Sequence, residues 1–386
     1  MTRIYLDNAA TSFPKPDAVY DAVDRYQRTV GAAVGRGGYG SSVAASATVA
    51  RCRARLAELF RAEGPERIVF GYNGTDALNL ALHGMLKPGD RVVTTQLEHN
   101  SVVRPLRDMQ DRFGLDVEIV PATCDGTVTV DSFRRALTQQ QTRLAVISHA
   151  SNVSGAILPI ADLVTVARET GALVLVDAAQ SAGHVAIDLR QLPIDLLACS
   201  GHKGLLGPLG TGVLYLRPGL EDSLRSIRQG GTGSASEDDR QPTTLPDKYE
   251  SGNHNAPGLC GLEAGVSWVL KQTPAELHDH ELELIRRLGE GLRRLPGVTL
   301  WGAPLDHDRV GVLSVTVDGY DAHDLAAILD QSLGIETRAG LHCAPGAHRA
   351  LGTFSMGGTL RLSVGPFTTH QEIDATLEAF SQLTGG

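Results

Sequence analysis

Lys203 sits in a run of small and polar residues, Ser200-Gly201-His202-Lys203-Gly204, downstream of the apolar stretch Leu173-Val174-Leu175-Val176 that ends on Asp177. A lysine that can shed its proton forms Schiff bases with carbonyl compounds. Pyridoxal phosphate (PLP) chemistry asks for such a lysine, an acid for the pyridinium nitrogen and a cradle for the phosphate. The sequence offers all three, which points to a PLP enzyme. Asp177 closes an apolar run, where an unpaired carboxylate is costly to bury and a pyridinium N–H would compensate it. Lys203 follows it by 26 residues, room for a crossover and a strand at Asp195–Cys199 that returns the chain to the same sheet edge.

Other side chains fit around that pair. Asn73-Gly74-Thr75-Asp76 falls between a strand and a helix, where backbone N–H groups, a glycine and a hydroxyl make a phosphate seat. A plain capped helix start has the same residues. Ser200 and His202 flank Lys203 and add phosphate contacts. Gln180 and Asn152 stand just past strand ends, within reach of the ring hydroxyl. His99, in Gln96-Leu97-Glu98-His99-Asn100, offers an imidazole to stack on the ring and shuttle protons near neutral pH. Arg361 suits a bidentate clamp on a substrate carboxylate. Cys343 lies in Arg338-Ala339-Gly340-Leu341-His342-Cys343-Ala344-Pro345, and an exposed thiolate near positive charge is a strong nucleophile, with Arg338 and His342 as the expected cationic neighbours. Taken singly, each of these residue types is more often structural, so the argument rests on the set. Cys52, Cys124, Cys199 and Cys260 lack such surroundings and are taken as inert. Gly35-Arg36-Gly37-Gly38-Tyr39-Gly40 matches a dinucleotide-binding pattern but follows a helix rather than a strand, so a mobile substrate-side loop is the expectation.

The elements that must position these residues alternate. Strands are expected at Arg67–Phe70, Arg91–Thr95, Val117–Val120, Leu144–Ser148 and Leu173–Val176, with helices at about Ala18–Thr29, Thr75–Leu86, Val102–Phe113 and Ile160–Thr170. Such alternation predicts an α/β fold with a mostly parallel, helix-covered sheet whose ligands bind at the carboxyl ends of the strands. Gln229–Asn255 is Gly-rich, then acidic, then Pro-bearing, with little periodicity, and a surface linker is as good a reading as any. Beyond it come a helix at Pro274–Leu295, a strand at Val312–Val317, a helix at Ala322–Leu333, the cysteine loop, a strand at Thr359–Val364 and a helix near His370–Leu383, a pattern suited to a compact α+β domain. The large PLP-binding domain is expected over 13–255, with 1–12 and 256–386 forming the smaller domain that carries the cysteine loop.

The 386 residues carry a net charge of −9 and only 5% aromatics, which excludes a nucleic-acid surface or an anionic-membrane partner. Apolar runs are strand-length rather than membrane-spanning. Met1-Thr2-Arg3-Ile4-Tyr5-Leu6-Asp7 reads as folded sequence without a signal-peptide core. Five scattered cysteines without a CxxC pair fit reduced thiols in a cytoplasm and give no metal-ligand spacing.

With Asn8-Ala9-Ala10-Thr11, Glu98-His99-Asn100, Asp177-Ala178-Ala179-Gln180, Ser200-Gly201-His202-Lys203 and Gly340-Leu341-His342-Cys343 in this order, the chain resembles class V aminotransferase-fold enzymes over its whole length, and within them the cysteine desulfurase / selenocysteine lyase family. The resemblance implies a PLP-dependent fold-type I homodimer with sites at the subunit interface. It implies that Lys203 joins the cofactor, Asp177 pairs with the ring nitrogen, and His99 stacks on the ring. Gln180 and Asn152 would contact the ring hydroxyl or substrate. Gly74, Thr75, Ser200 and His202 would hold phosphate, and Ala10, Arg338 and Arg361 would line the substrate. Tyr249–Asn255 becomes an interface loop reaching the neighbour's phosphate, although Asn253 stands where the family usually has threonine. The expected activity converts L-cysteine to L-alanine, leaving a persulfide on Cys343 for an acceptor protein, as in sulfur mobilisation for iron–sulfur assembly. Two alternatives stay open: a PLP-dependent C–S β-lyase yielding pyruvate and ammonia, which does not need Cys343, and a non-catalytic scaffold of the same fold.

Overall fold

Seven short strands form the centre of the structure, a computed structural model that describes residues 3–35, 37–234 and 237–385. Met1 and Thr2 of the expected N-terminal reading, Arg36 of the Gly35–Gly40 run, and Ala235 and Ser236 within the Gln229–Asn255 stretch lie outside the described residues. The sheet runs from Ile68–Gly71 at one edge through Gly212–Leu216, Leu196–Ser200, Leu173–Asp177, Leu144–Ser148 and Arg91–Thr95 to Asp116–Val120 at the other. All neighbours pair in parallel except Gly212–Leu216, which is antiparallel to both of its partners. Parallel strands covered on both faces read as continuous apolar runs. Leu144–Ile147 and Leu196–Cys199 are such runs, and every one of their side chains is buried. Each Leu, Ile or Val so buried contributes about 1.5–3 kcal/mol to folding.

One face of the sheet packs on the helices Gly40–Phe60, Val130–Gln139, Ile160–Glu169 and Ala256–Gln272, the other on Gly74–Met85 and Asn100–Phe113. The helix Gly40–Phe60 directly follows the glycine run, which therefore leads into a helix from another helical segment, as expected for a non-dinucleotide context. That helix carries many small residues and a weak apolar stripe, so periodicity alone does not mark it. The expected helix Ala18–Thr29 is an α-helix over Asp17–Arg25 continued by a wider π turn, Tyr26–Val30.

The second unit is a four-stranded antiparallel sheet, Arg338–Gly340, Thr359–Ser363, Val312–Val317 and Val298–Trp301, backed by the helices Pro274–Leu292, Ala322–Leu333 and His370–Thr384. Ile4–Tyr5 pairs in parallel with Ile335–Glu336, joining the N-terminal segment to this unit. The helix Ala256–Gln272 inserts Leu259, Leu262 and Val266 into the core of the large sheet. It ends at Thr273, a residue with φ +65° that separates it from the helix Pro274–Leu292. Among the described residues no helix is long and apolar enough to cross a membrane.

Candidate active site

The carboxyl ends of the parallel strands open onto a cavity of about 210 Å³. Asp177 is the last residue of one strand, in register with Ser148 at the end of the next, and Lys203 follows the third strand. Because parallel strands end on the same edge, residues far apart in sequence converge there.

Lys203 lines the cavity. Burial pushes its proton affinity down to about 8, helped by Arg361 and Arg338 and opposed by Asp177 and Cys343. An amine in that range is neutral often enough to act as nucleophile or base. Asp177 is buried at 6% exposure, and burial raises its carboxyl above the usual range against the pull of the Ala179 N–H and Lys203. Among the described residues the only hydrogen-bond donor to its carboxylate is Ala179 N, at 2.9 Å. A buried carboxylate with an open oxygen facing a cavity is complementary to a ring N–H, so this corner fits the pyridinium of PLP.

The phosphate end fits as well. The helix Gly74–Met85 starts at the cavity, capped by Asn73, whose side chain accepts from Asp76 N at 2.8 Å. A Cβ on Gly74 would come within 2.7 Å of Ser200 Oγ, so only glycine lets this helix end approach the strand so closely. Thr75 Oγ1 lies 2.7 Å from Ser101 Oγ, which lies 2.8 Å from His99 Nδ1. His202 and Ser200 line the cavity, and among the described residues the buried His202 Nδ1 has no partner. Helix N–H groups, hydroxyls and an orphaned ring nitrogen together suit a phosphate.

His99 also lines the cavity. Burial and the neighbouring Lys203, Arg338, Arg104 and Arg361 push it down to about 4. At neutral pH it is an uncharged ring whose Nδ1 accepts from Ser101 N, a geometry suited to stacking. Gln180 Nε2 donates to Ala9 O at 2.9 Å, and Asn152 Nδ2 donates to His342 O at 2.7 Å. Both amides line the cavity with their oxygens still available.

Arg361 is 1% exposed, held by Asp7 Oδ1 at 2.7 Å from Nη2 and by Asn152 O at 3.2 Å from Nη1. Among the described residues its buried Nε has no hydrogen-bond partner, and the guanidinium borders the cavity that a substrate carboxylate would enter. Arg338 sits directly across from it on the adjacent strand, and both arginines and Ala10 line the cavity.

Cys343 does not line the cavity; it is exposed beside it, with Arg338 Nη2 at 3.6 Å from Sγ. His342 corrects one expectation. Its ring is 3% exposed and, held uncharged by burial and by Arg361, gives no positive charge to the thiol; it faces His348 and the Arg338 carbonyl instead. Arg338 supplies that charge at contact distance, with Arg361 and Lys203 farther off. Asn253 lies apart, in a separate hollow with Tyr72, Arg228 and Glu250. Cys52, Cys199 and Cys260 are buried as expected for inert thiols, whereas Cys124 is exposed.

Sequence reasoning passed over Glu98, although it was part of a quoted motif. It is 1% exposed, accepts from Thr95 Oγ1 and from Ser148 N and Oγ, and is pushed up to about 7, chiefly by burial. Asp7 was also passed over, since only the pairing of the two chain ends brings it to Arg361.

The family model for class V aminotransferases matches residues 4–376. A probable cysteine desulfurase of Methanothermobacter thermautotrophicus is 34% identical over 385 residues, covering 99% of this chain and 95% of its own. A cysteine desulfurase of Salmonella dublin is 32% identical, covering 98% and 93%. The apo structure of a cysteine desulfurase from Thermococcus onnurineus NA1 superposes with a TM-score of 0.93 at 34% identity, over 100% of this chain and 95% of the other.

Proposed function

The chain belongs to the cysteine desulfurase family of the class V aminotransferases, a PLP-dependent group, and from that premise we propose that it converts L-cysteine to L-alanine and carries the sulfur away on Cys343. When bound, PLP supplies an electron sink for the bonds broken at the substrate's α and β carbons. Asp177 would hold the ring nitrogen, Gly74, Thr75, Ser200 and His202 would hold the phosphate, and His99 would lie against the ring. Arg361 binds the substrate carboxylate and turns the α-proton toward Lys203 Nζ, which removes it. The Cys343 thiolate attacks the substrate sulfur, so that an S–S bond forms as the Cβ–S bond breaks. Lys203 returns protons to the alanine fragment, a task the uncharged His99 ring is less suited to.

The observation that carries this reading is the thiol at the mouth of the cavity: Cys343 is exposed and 3.6 Å from Arg338, whose strand also borders Arg361. A β-lyase would have no use for it. The test is the product formed from L-cysteine with a thiol reductant. Alanine with stoichiometric sulfide is expected, and Cys343→Ser should keep its bound cofactor yet lose turnover. Pyruvate with ammonia, or full turnover in that variant, overturns the reading.

The same proposal extends to a homodimer, with Asn253 reaching the neighbour's phosphate; its position outside the cavity of its own chain supports this. It also includes a protein acceptor for the persulfide sulfur, in sulfur supply for iron–sulfur assembly, and a reducing cytoplasmic setting, which five free cysteines favour.

A further inference from the structure

We propose that Thr353, His348 and His342 form a one-way hydrogen-bond chain that locks the Cys343 loop, which makes His348 a positioning residue for the thiol. The proposal deepens the reading of Cys343 as nucleophile and rests on it.

The loop backbone needs a lock. His342 and Cys343 have φ values of +49° and +57°, two consecutive non-glycine residues in the left-handed region. Residues with a Cβ adopt that conformation rarely, and it persists where surrounding contacts over-determine it. Two of those contacts come from the large domain: Asn152 Nδ2 donates to His342 O, and Asn100 N donates to Cys343 O, both at 2.7 Å.

The third comes from the rings. His342 Nε2 lies 3.2 Å from Arg338 O, His342 Nδ1 lies 3.2 Å from His348 Nε2, and His348 Nδ1 lies 2.8 Å from Thr353 Oγ1. His342, His348 and Thr353 are 3%, 0% and 0% exposed, so water does not replace a missing partner. The direction of every bond follows from valence. A carbonyl oxygen only accepts, so His342 Nε2 carries the hydrogen and its Nδ1 is an acceptor. His348 Nε2 must then donate, leaving its Nδ1 to accept from the Thr353 hydroxyl. Both rings are uncharged: burial holds His348 down to about 4 and His342 below the usual histidine range. With both rings uncharged, one tautomer pair satisfies the whole chain.

The chain ends where the chemistry is. Arg338, whose carbonyl receives the last bond, is the residue whose guanidinium reaches Cys343 Sγ. At the far end Thr353 N donates to His348 O at 2.9 Å, which fixes the hydroxyl that starts the chain. His348 touches neither the cavity nor the thiol, so its effect on the reaction passes through the loop.

The test compares His348→Leu, which fills the space without a donor, with His348→Gln, whose side-chain amide replaces the lost N–H. Both are loaded with PLP and followed by steady-state kinetics, by the cofactor absorbance band, and by hydrogen exchange of the peptide covering Leu341–Gly346. His348→Leu is expected to lower kcat by about 10- to 100-fold with an unchanged band and a KM within about twofold of the parent, because the misplaced group acts after substrate binding. Exchange in the loop peptide should speed up, and His348→Gln should recover most of both losses. Thr353→Val, a near-isostere lacking the first donor, should move the same quantities in the same direction and serves if His348→Leu does not fold. Wild-type kcat and exchange in His348→Leu overturns the proposal. So does His348→Gln performing no better than His348→Leu, or a shifted band with a raised KM. Full turnover in Cys343→Ser would fail the nucleophile reading, while the exchange comparison still judges the lock.

Discussion

Lys203 gives the sharpest quantitative test of the site. The amine must be uncharged to attack the cofactor's aldehyde, and burial with two nearby arginines holds its proton affinity near 8. At pH 8 about half of it is then neutral, against about one part in 250 for a solvated lysine near 10.4, an enrichment of roughly 100-fold. Competitive acetylation of cofactor-stripped protein between pH 6 and 11, read by mass spectrometry, reports the midpoint for each lysine, with exposed Lys87 as the reference within the chain. The midpoint separates proton affinity from access, which is lower at Lys203. Asp177→Asn removes the one nearby carboxylate that holds the proton on, so the midpoint should fall further in that variant. A Lys203 midpoint coinciding with that of Lys87, or an upward move in Asp177→Asn, would refute the argument that burial dominates the site's electrostatics.

Arg361→Lys keeps the charge but loses the planar fork and the unpartnered Nε; KM for L-cysteine should rise by about 10- to 100-fold, with a smaller change in kcat, in steady-state assays. Glu98 titrates within the fold near 7 instead of 4.5, so folding favours its protonated form. Its contribution is therefore intact below pH 4.5 and is lost as pH rises through 7, by about 3 kcal/mol. Glu98→Gln does not titrate, so urea unfolding at pH 5 and pH 8 should show the parent losing about 2–3 kcal/mol relative to the variant over that interval. Parallel profiles would show that the carboxyl is solvated in the folded protein.

Sequence alone located the parallel sheet and its chemistry because both leave local marks. Leu173–Val176 is a continuous apolar run with a charge at its end, and such a run is stable only when covered on both faces. Less was legible where identity and context part company. Nothing in the letters of Glu98-His99 shows that burial makes one a carboxyl titrating near 7 and the other an uncharged ring. The helix Gly40–Phe60 hides because its small residues pack closely with only a weak apolar stripe. The antiparallel strand Gly212–Leu216, fully buried between two partners, was overlooked in a segment that reads only as a passage out of the lysine loop. Asp7 and Arg361 are 354 residues apart, and their ion pair follows from tertiary pairing alone.

That pairing also orders events during synthesis. Residues 4–9 leave the ribosome early, yet Ile4 and Tyr5 wait for Ile335 and Glu336, Asp7 waits for Arg361, and Ala9 N waits for Ser363 Oγ. At about 5–20 residues per second the delay is roughly 20–70 s. The large sheet, complete by Leu216, has time to form while the leading segment stays unpaired. The carboxylate clamp is therefore assembled last, when the beginning and the end of the chain meet. A nascent chain can own its lysine, its aspartate and its phosphate seat for roughly 8–30 s before it can hold a substrate.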